Sequence, residues 1–147
     1  MDFTFRPAAA TDLGLIWRGE LAYMRAVEPE HEQRWLAATD RHLDLWTANL
    51  RHAVVAEADG QQAGYELWMA DGDRAVLVTI HVLTRHRRQG LGEQLLSRFV
   101  EDARAADFKV LALSVKDSNP ALRLYERRGF ERGDDSDGYR TYAMRLE

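Results

Sequence analysis

The spacing of hydrophobic positions changes along the chain and marks its elements. DFTFR, near the N-terminus, alternates two phenylalanines with polar residues, which predicts a short first strand. A helix follows Thr11 and Asp12, two residue types that favour N-caps, and Pro29 ends it. A second, longer helix is predicted from about Glu30 to Asn49.

The middle of the chain has the alternation of β-strands. HAVVAEA and QAGYELWMA flank an Asp59–Gly60 turn and predict a hairpin, and Asp71–Gly72 then turns the chain into AVLVTIHVL. Helical spacing returns after Gly92. One face of this helix is apolar, with Leu91, Leu95, Leu96, Phe99, Val100 and Ala103.

The C-terminal third contains three predicted strands and a helix. Lys109–Val115, KVLALSV, reads as a strand buried on both faces. Asn119–Arg128 predicts a short helix ended by Gly129 at the C′ position. Phe130–Arg132 and Tyr139–Leu146 are the last strands, separated by the acidic turn DDSDG. The order β-α-α-β-β-β-α-β-α-β-β predicts one three-layer α/β domain over residues 1–147.

The amino-acid composition excludes several kinds of functional site. The chain has no cysteine, which excludes disulfides, thiolate metal sites and a cysteine nucleophile. The histidines show no ligand spacing, so no metal site is expected. No apolar run approaches the roughly 20 residues that cross a bilayer, and the N-terminus lacks a signal-peptide pattern. We therefore expect a cytoplasmic protein without a membrane partner.

The charge pattern favours a small anionic ligand. The net charge is −4, whereas proteins that bind nucleic acid usually carry a basic footprint. The basic cluster Arg85–Arg88 is local. We expect no nucleic-acid partner.

RRQGLG, at residues 87–92, has the features of a pyrophosphate-binding turn. A helix beginning at about Leu91 presents backbone N–H groups without intrahelical partners, and its dipole favours anions. Gly90 and Gly92 let a ligand approach the backbone, while Arg87 and Arg88 add charged donors. Such a string also arises by chance around ordinary turns, but the strand before it and the amphipathic helix after it favour binding. The third glycine of a Rossmann fingerprint and the Gly-Lys-Ser/Thr of a P-loop are absent.

Two ordered motifs resemble the GNAT superfamily of N-acetyltransferases. Val82–Gly92, VLTRHRRQGLG, resembles a strand followed by Q/R-x-x-G-x-G/A. Asn119–Phe130, NPALRLYERRGF, resembles N-x-x-A-x-x-L-Y-x-x-x-G-F, with Ala121 one residue from the usual alanine position. The order of elements is similar throughout. The resemblance implies a GNAT-type α/β/α fold with a mixed, mainly antiparallel sheet, and acetyl-CoA as co-substrate.

The resemblance also implies residue roles in binding acetyl-CoA. The strand residues Ile80, Val82 and Leu83 would pair with the pantetheine arm, and the Val82 N–H would polarise the thioester carbonyl. Asn119 would bond the pantetheine, cap its own helix, or do both. The pyrophosphate would lie on the turn formed by Arg87, Arg88, Gln89, Gly90, Leu91 and Gly92.

Tyr125 is the sharpest catalytic candidate. A thiolate leaving group has a conjugate acid of pKa about 8.5 if it resembles cysteine, and a phenol within hydrogen-bond reach can supply its proton. The alternative is that Tyr125 only packs between helix and sheet.

The general base is harder to assign. Family members often place a glutamate or histidine a few residues upstream of Val82, where this chain has VLVT. His81 alternates with Val82 and is expected to face away from the thioester unless a bulge re-aims it. Glu66, Glu20 and Glu28 are further candidates, and water is another.

The first two helices usually cover the acceptor site in this family. They carry aromatic residues and glutamates that suit an amine cation, although aromatics at helical spacing are more often core. These residues are Trp17, Tyr23, Met24, Trp35 and Trp46, with Glu20, Glu28, Glu30 and Glu32.

Three functions follow. The first is acetyl transfer from acetyl-CoA to a primary amine by direct attack, although a serine route is not excluded. The second is acetylation of a protein or peptide, at an N-terminal amine or a lysine. The third is a catalytically silent acyl-CoA-binding module. Family members are often dimers, so a homodimer is also expected.

Overall fold

The computed structural model describes residues 2–147 and consists of one sheet covered by helices on both faces. The helices are α1 Leu13–Val27, α2 Glu32–Ala37, α3 Thr39–Ala48, α4 Leu91–Ala105 and α5 Leu122–Arg128. The strands are β1 Thr4–Pro7, β2 Ala53–Ala58, β3 Gln61–Asp71, β4 Arg74–Val82, β5 Val110–Lys116, β6 Glu131–Ser136 and β7 Tyr139–Arg145.

The strands lie in the order β1-β2-β3-β4-β5-β7-β6. Only β4 and β5 pair in parallel, and every other neighbouring pair in the sheet is antiparallel. One core joins α1 and α3 to the sheet, and two others lie beneath α4 and α5 on the opposite face. The predicted three layers and mixed, mainly antiparallel sheet are confirmed.

The second predicted helix is wrong as a single element. Residues Pro29–His31 form a 3₁₀ turn, and the helix that follows breaks at Ala38 into α2 and α3. The hydroxyl of Thr39 donates to the Leu36 carbonyl at 2.6 Å. A side-chain donor at this position competes with the helical N–H for the same carbonyl. The break therefore has a local cause.

Two C-terminal boundaries also differ from expectation. Helix α5 begins at Leu122 rather than Asn119, because the Asn119 side chain accepts the Ala121 N–H at 2.8 Å and holds a turn before the helix. Strand β6 extends to Ser136, so the acidic DDSDG segment is mostly strand. The pair Asp135↔Arg140 places opposite charges across β6 and β7, which favours continued pairing.

Strands β4 and β5 separate halfway along. Their pairing runs from Arg74↔Val110 only as far as Leu77↔Leu113. Beyond this point β4 continues to Val82 beside β3 alone. The separation opens the sheet at its centre and leaves one edge of β4 unpaired.

Candidate active site

The opening between β4 and β5 contains a cavity of about 160 Å³. Helix α1, helix α5 and strand β7 contribute to its walls. The lining residues that could carry chemistry are Glu20, Tyr23, Glu28, Thr79, His81, Ser114, Lys116, Asn119, Tyr125 and Tyr139.

A β-bulge in β4 determines which of its side chains face α1 and which face α4. Leu67 pairs with Thr79 and Trp68 pairs with Leu77, so Val78 is an extra residue in β4. The extra residue reverses the alternation of the strand. As a result Leu77 packs beneath α4, whereas Thr79 bonds Glu20 of α1.

The backbone of β4 offers hydrogen-bonding groups at the open edge. The Leu83 N–H donates to the Ala63 carbonyl at 2.9 Å and is therefore used within the sheet. Because the groups of an antiparallel strand alternate between its two edges, those of Ile80 and Val82 point away from β3. The Arg87 Nε donates to the Val82 carbonyl at 3.0 Å, consistent with this orientation. Leu83 thus has no free N–H for a ligand, while Ile80 and Val82 do.

The RRQGLG turn leads into the N-terminus of α4 at one end of β4. Gly90 is the N-cap residue and has φ +80°, which favours glycine, and a Cβ here would meet no atom within 4 Å. The backbone N–H of Gln94 donates to the Gly90 carbonyl at 3.2 Å, and no side chain among residues 2–147 caps the N–H groups that precede it. Arg87, Arg88 and Gln89 are exposed, whereas Leu91 is buried in the core and offers only its backbone. The turn has the free donors that a diphosphate requires.

Glu20 of α1 presents a carboxylate to the cavity. Its Oε2 accepts hydrogen bonds from the Tyr65 hydroxyl at 2.6 Å and the Thr79 hydroxyl at 2.8 Å, which leaves Oε1 for another partner. Burial raises the pKa of Glu20, against the lowering effect of the two hydroxyls. A carboxylate with a raised pKa is a stronger base than an ordinary surface one.

Glu28 joins two walls of the cavity. It accepts a hydrogen bond from the Tyr23 hydroxyl at 2.6 Å and a short one from Tyr139 of β7. Burial, followed by the Glu28 carboxylate, raises the pKa of Tyr23 strongly and that of Tyr139 to about 12. Because both Glu28 oxygens accept bonds, Glu28 is less available than Glu20 as a proton acceptor.

His81 also lines the cavity and packs close to α1. Its ring lies 5.5 Å from the Tyr65 ring, centroid to centroid. Burial, assisted by the charge of Arg87, lowers the pKa of His81 to about 4. The imidazole is therefore neutral at pH 7 but a weak base.

Glu66 faces the other side of the sheet. Its neighbour in alternation is Trp68, which packs against Phe99 of α4. The Glu66 side chain is fully buried, and neither of its oxygens has a hydrogen-bond partner within residues 2–147. Burial raises the pKa of Glu66 well above the ordinary carboxylate value. Of the side chains considered as bases, Glu20, Glu28 and His81 are thus brought together, and Glu66 is not.

Tyr125 reaches the cavity from α5. Its ring packs against Phe130 and Tyr142, with centroids 6.3 and 6.1 Å away. Burial, followed by the charge of Glu20, raises the pKa of Tyr125 to about 12. Tyr125 thus packs as a core residue while its side chain also lines the site, and its phenol stays protonated at neutral pH.

Four lining residues were missed by sequence reasoning: Thr79, Ser114, Lys116 and Tyr139. Ser114 and Lys116 lie on β5 beyond the point where it leaves β4, and Tyr139 begins β7. The polar residues at the end of the apolar KVLALSV run were the one available signal. Asn119 lines the cavity, and its side chain also accepts a hydrogen bond from the Ala121 N–H.

Within 2–147, no group of three or more histidine, cysteine, aspartate or glutamate side chains is arranged to hold a metal ion. No helix in the same range is long and apolar enough to cross a membrane.

Comparison with known proteins agrees with this geometry. Residues 20–130 match the Acetyltransferase (GNAT) family. The chain is 30% identical over 137 residues to the phosphinothricin N-acetyltransferase of Streptomyces viridochromogenes, covering 85% of this chain and 72% of the relative. It is 37% identical over 92 residues to a Bacillus subtilis protein named for [ribosomal protein bS18]-alanine N-acetyltransferase activity, covering 61% and 60%. The fold is similar to that of the PaiA N-acetyltransferase from Thermoplasma acidophilum, solved with coenzyme A, with TM-score 0.83, 14% identity and coverage of 99% and 100%.

Proposed function

The chain belongs to the GNAT family of acetyl-CoA-dependent acetyltransferases, and from this premise we propose that it acetylates a primary amine by direct attack in the cavity between β4 and β5. The observation that carries the proposal is that Glu20, from α1, and Tyr125, from α5, both line this cavity. One is a carboxylate with a raised pKa, and the other is a protonated phenol.

The donor side follows from the open edge of β4 and the turn after it. Acetyl-CoA supplies the acetyl thioester. The free backbone groups of Ile80, and the Val82 carbonyl once Arg87 releases it, would pair with its pantetheine arm, as in the addition of a strand to a sheet edge. The N–H groups of Gly90, Leu91 and Gly92, with Arg87, Arg88 and Gln89 around them, would hold the pyrophosphate. Arg87 would exchange its bond to the Val82 carbonyl for one to phosphate.

Glu20 would prepare the nucleophile. An alkylammonium with a pKa near 10.4 must lose a proton before it attacks, and Oε1 of Glu20 would accept that proton. The hydroxyls of Tyr65 and Thr79 hold the carboxylate in place. His81 would contribute a neutral wall rather than the base, because its lowered pKa makes it a poor proton acceptor.

Tyr125 would complete the transfer. As the C–N bond forms and the C–S bond breaks, the phenol donates its proton to the sulfur, and the Val82 N–H stabilises the carbonyl oxygen. Moving a proton from a phenol of pKa about 12 to a thiolate of pKa about 8.5 costs roughly 5 kcal/mol. Proton donation is coupled to cleavage of the C–S bond. The new amide nitrogen then gives up its second proton, which restores the Tyr125 phenol by way of solvent, and Glu20 releases the first proton to solvent, so the starting state is regained.

Two acceptor classes are supported by relatives. The phosphinothricin N-acetyltransferase supports a small molecule with a primary amine, which is our leading proposal. The Bacillus subtilis relative supports a protein N-terminus as the second candidate. A cytoplasmic location and a homodimer stay predictions, which cell fractionation and analytical ultracentrifugation test.

The test is release of CoA from acetyl-CoA with a panel of amines, followed by mass spectrometry of the product. The panel contains phosphinothricin, simple alkylamines, and a peptide with a free N-terminal alanine. We expect acetylation of at least one small amine, with Ser114→Ala retaining the activity because no acyl-serine forms. Turnover of the peptide alone favours the second candidate. Loss of turnover in Ser114→Ala contradicts direct attack.

A further inference from the structure

We propose that the protein acetylates itself on Lys116, a primary amine in the wall of its own catalytic cavity. The inference rests on the proposed function, because acetyl-CoA bound in that cavity supplies the acetyl group. Its basis is the position of Lys116 and the weak hold on its ammonium group.

Lys116 lies on the same face of the sheet as the carboxylates of α1. In strand β5, Leu113 and Val115 are buried in the core beneath α4 and α5. Because side chains alternate along a strand, Lys116 faces the opposite side, toward α1. It pairs with Tyr139 of β7, whose hydroxyl donates to Glu28 at the end of α1. The amine is therefore on the side of the sheet where the proposed base lies.

Lys116 supplies the one primary amine among the described residues that line the cavity. The acids in the cavity wall are Glu20 and Glu28, and the imidazole of His81 is neutral. Glu30, on the turn after α1, is the acid closest to the ammonium. An amine already fixed beside the thioester does not have to be captured from solution, which favours its reaction over that of a free amine.

The ammonium of Lys116 is weakly held. Its Nζ lies 3.9 Å from a Glu30 oxygen, which is too long for a hydrogen bond, and an ion pair with an exposed partner contributes little. Nζ also lies 5.3 Å from the centre of the Tyr139 ring, which itself belongs to the cavity wall. A weakly held ammonium on a flexible four-carbon stem can turn toward the centre of the cavity.

The reaction is the proposed transfer with the protein's own amine as the acceptor. The Lys116 ammonium loses one proton to solvent, and the neutral nitrogen forms a bond to the thioester carbonyl carbon. The C–S bond breaks, the sulfur leaves with the electron pair, and Tyr125 donates its proton to that sulfur. The second proton of the nitrogen restores the phenol by way of solvent. The products are Nε-acetyllysine, the CoA thiol and one released proton.

The chain has two lysines, and the other one is an internal control. Lys109 is exposed and precedes β5, at the opposite end of the strand from Lys116, whose side chain is only 17% exposed. Cleavage after arginine yields a peptide of residues 105–123 that contains both lysines, and tandem mass spectrometry assigns the acetyl group to either one. N-hydroxysuccinimidyl acetate, which reacts according to exposure, should modify Lys109 faster.

Protein with unmodified lysines is incubated with saturating acetyl-CoA and no other amine. We expect Lys116 to be acetylated at least about tenfold faster than Lys109, the reverse of the order given by the chemical reagent. The rate constant should not depend on protein concentration, because donor and acceptor lie in one molecule. Excess CoA should protect Lys116 without protecting Lys109, and Tyr125→Phe should slow the reaction of Lys116 alone.

Acetylation of Lys109 as fast as that of Lys116 overturns the inference, as does a rate constant for Lys116 that rises in proportion to protein concentration. The amine panel separates this failure from failure of the proposed function. If free amines are acetylated while Lys116 stays unmodified, the proposed function stands and self-acetylation fails. If Lys116 is acetylated while no amine in the panel is, the proposed free acceptor fails and the Lys116 site stands.

Discussion

Replacing Glu20 by glutamine tests the base directly, because the amide keeps the shape of the side chain and removes its ability to take a proton. An alkylamine of pKa about 10.4 is neutral in only about one molecule per thousand near pH 7.4. A general base usually contributes about 10²–10⁴-fold. Because Glu20 is the cavity carboxylate with one oxygen free, we expect kcat/KM at neutral pH to fall by about 10²–10³-fold.

The pH profile gives a second readout of the same variant. Glu20 must be ionised to accept a proton, and burial raises its pKa. Wild-type kcat/KM should therefore fall as pH decreases through that raised value, above the range of an ordinary glutamate. Glu20→Gln should lack this acidic limb, the fall in kcat/KM caused by protonation of Glu20. Its kcat/KM should instead rise about tenfold per pH unit, in proportion to the free amine, until the amine pKa is reached. The ratio of wild-type to variant rates then shrinks in alkaline solution.

The assay is steady-state release of CoA with an alkylamine or amino acid acceptor that the protein acetylates. Glu101→Gln, an exposed position on α4, is the matched control and should behave as wild type. Acetyl-CoA binding by Glu20→Gln should be unchanged, which excludes a folding defect. A variant that keeps the wild-type rate and the acidic limb would refute the assignment of Glu20.

Three further substitutions test separate parts of the structure. Tyr125→Phe keeps the ring contacts and removes the phenolic proton, so kcat should fall at least about tenfold. The affinity for CoA, measured by calorimetry, should be retained, and an unchanged kcat excludes the phenol as the acid. Gly19→Ala places a Cβ 2.8 Å from Tyr65 Cε2 and 2.9 Å from His81 Cδ2. It should cost about 1–3 kcal/mol in urea unfolding and reduce activity, whereas full wild-type stability and rate contradict this packing. Glu66→Met removes a buried carboxyl whose pKa is raised in the folded protein. Because the folded state holds this proton more tightly than the unfolded state, Glu66 stabilises the fold at acid pH, and this stability is lost as pH rises above the ordinary glutamate range. The variant should be more stable than wild type at pH 8, with an advantage that shrinks toward pH 5 by up to about 1.4 kcal/mol per pH unit, and a pH-independent difference between the two proteins contradicts the raised pKa.

Sequence reasoning was most accurate for elements whose structure is determined by the residues next to them in the chain. The apolar face of α4 is buried as predicted, because six side chains at helical spacing can only face the sheet. Gly129 ends α5 with φ +105°, the conformation that its C′ position predicted. The turn before α4 lies where the glycines indicated, since Gly90 adopts a positive φ.

Sequence reasoning was weakest where a single residue, or a contact with a distant element, changes the course of a whole helix or strand. The Thr39 hydroxyl breaks a helix that periodicity reads as continuous. The bulge at Val78 reverses the faces of β4, and only pairing with β3 reveals it. The choice of Glu20 over Glu66 depends on which side of the sheet each faces, and no composition or spacing distinguishes the two carboxylates.

The most direct measurement of the central claim is a crystal structure of the protein with CoA and a bound amine. We expect the pantetheine amides to pair with Ile80 and Val82, and the sulfur to lie within hydrogen-bond distance of the Tyr125 hydroxyl. The amine nitrogen should lie within the same distance of Glu20. A sulfur remote from Tyr125, or an amine bound away from Glu20, would contradict the account.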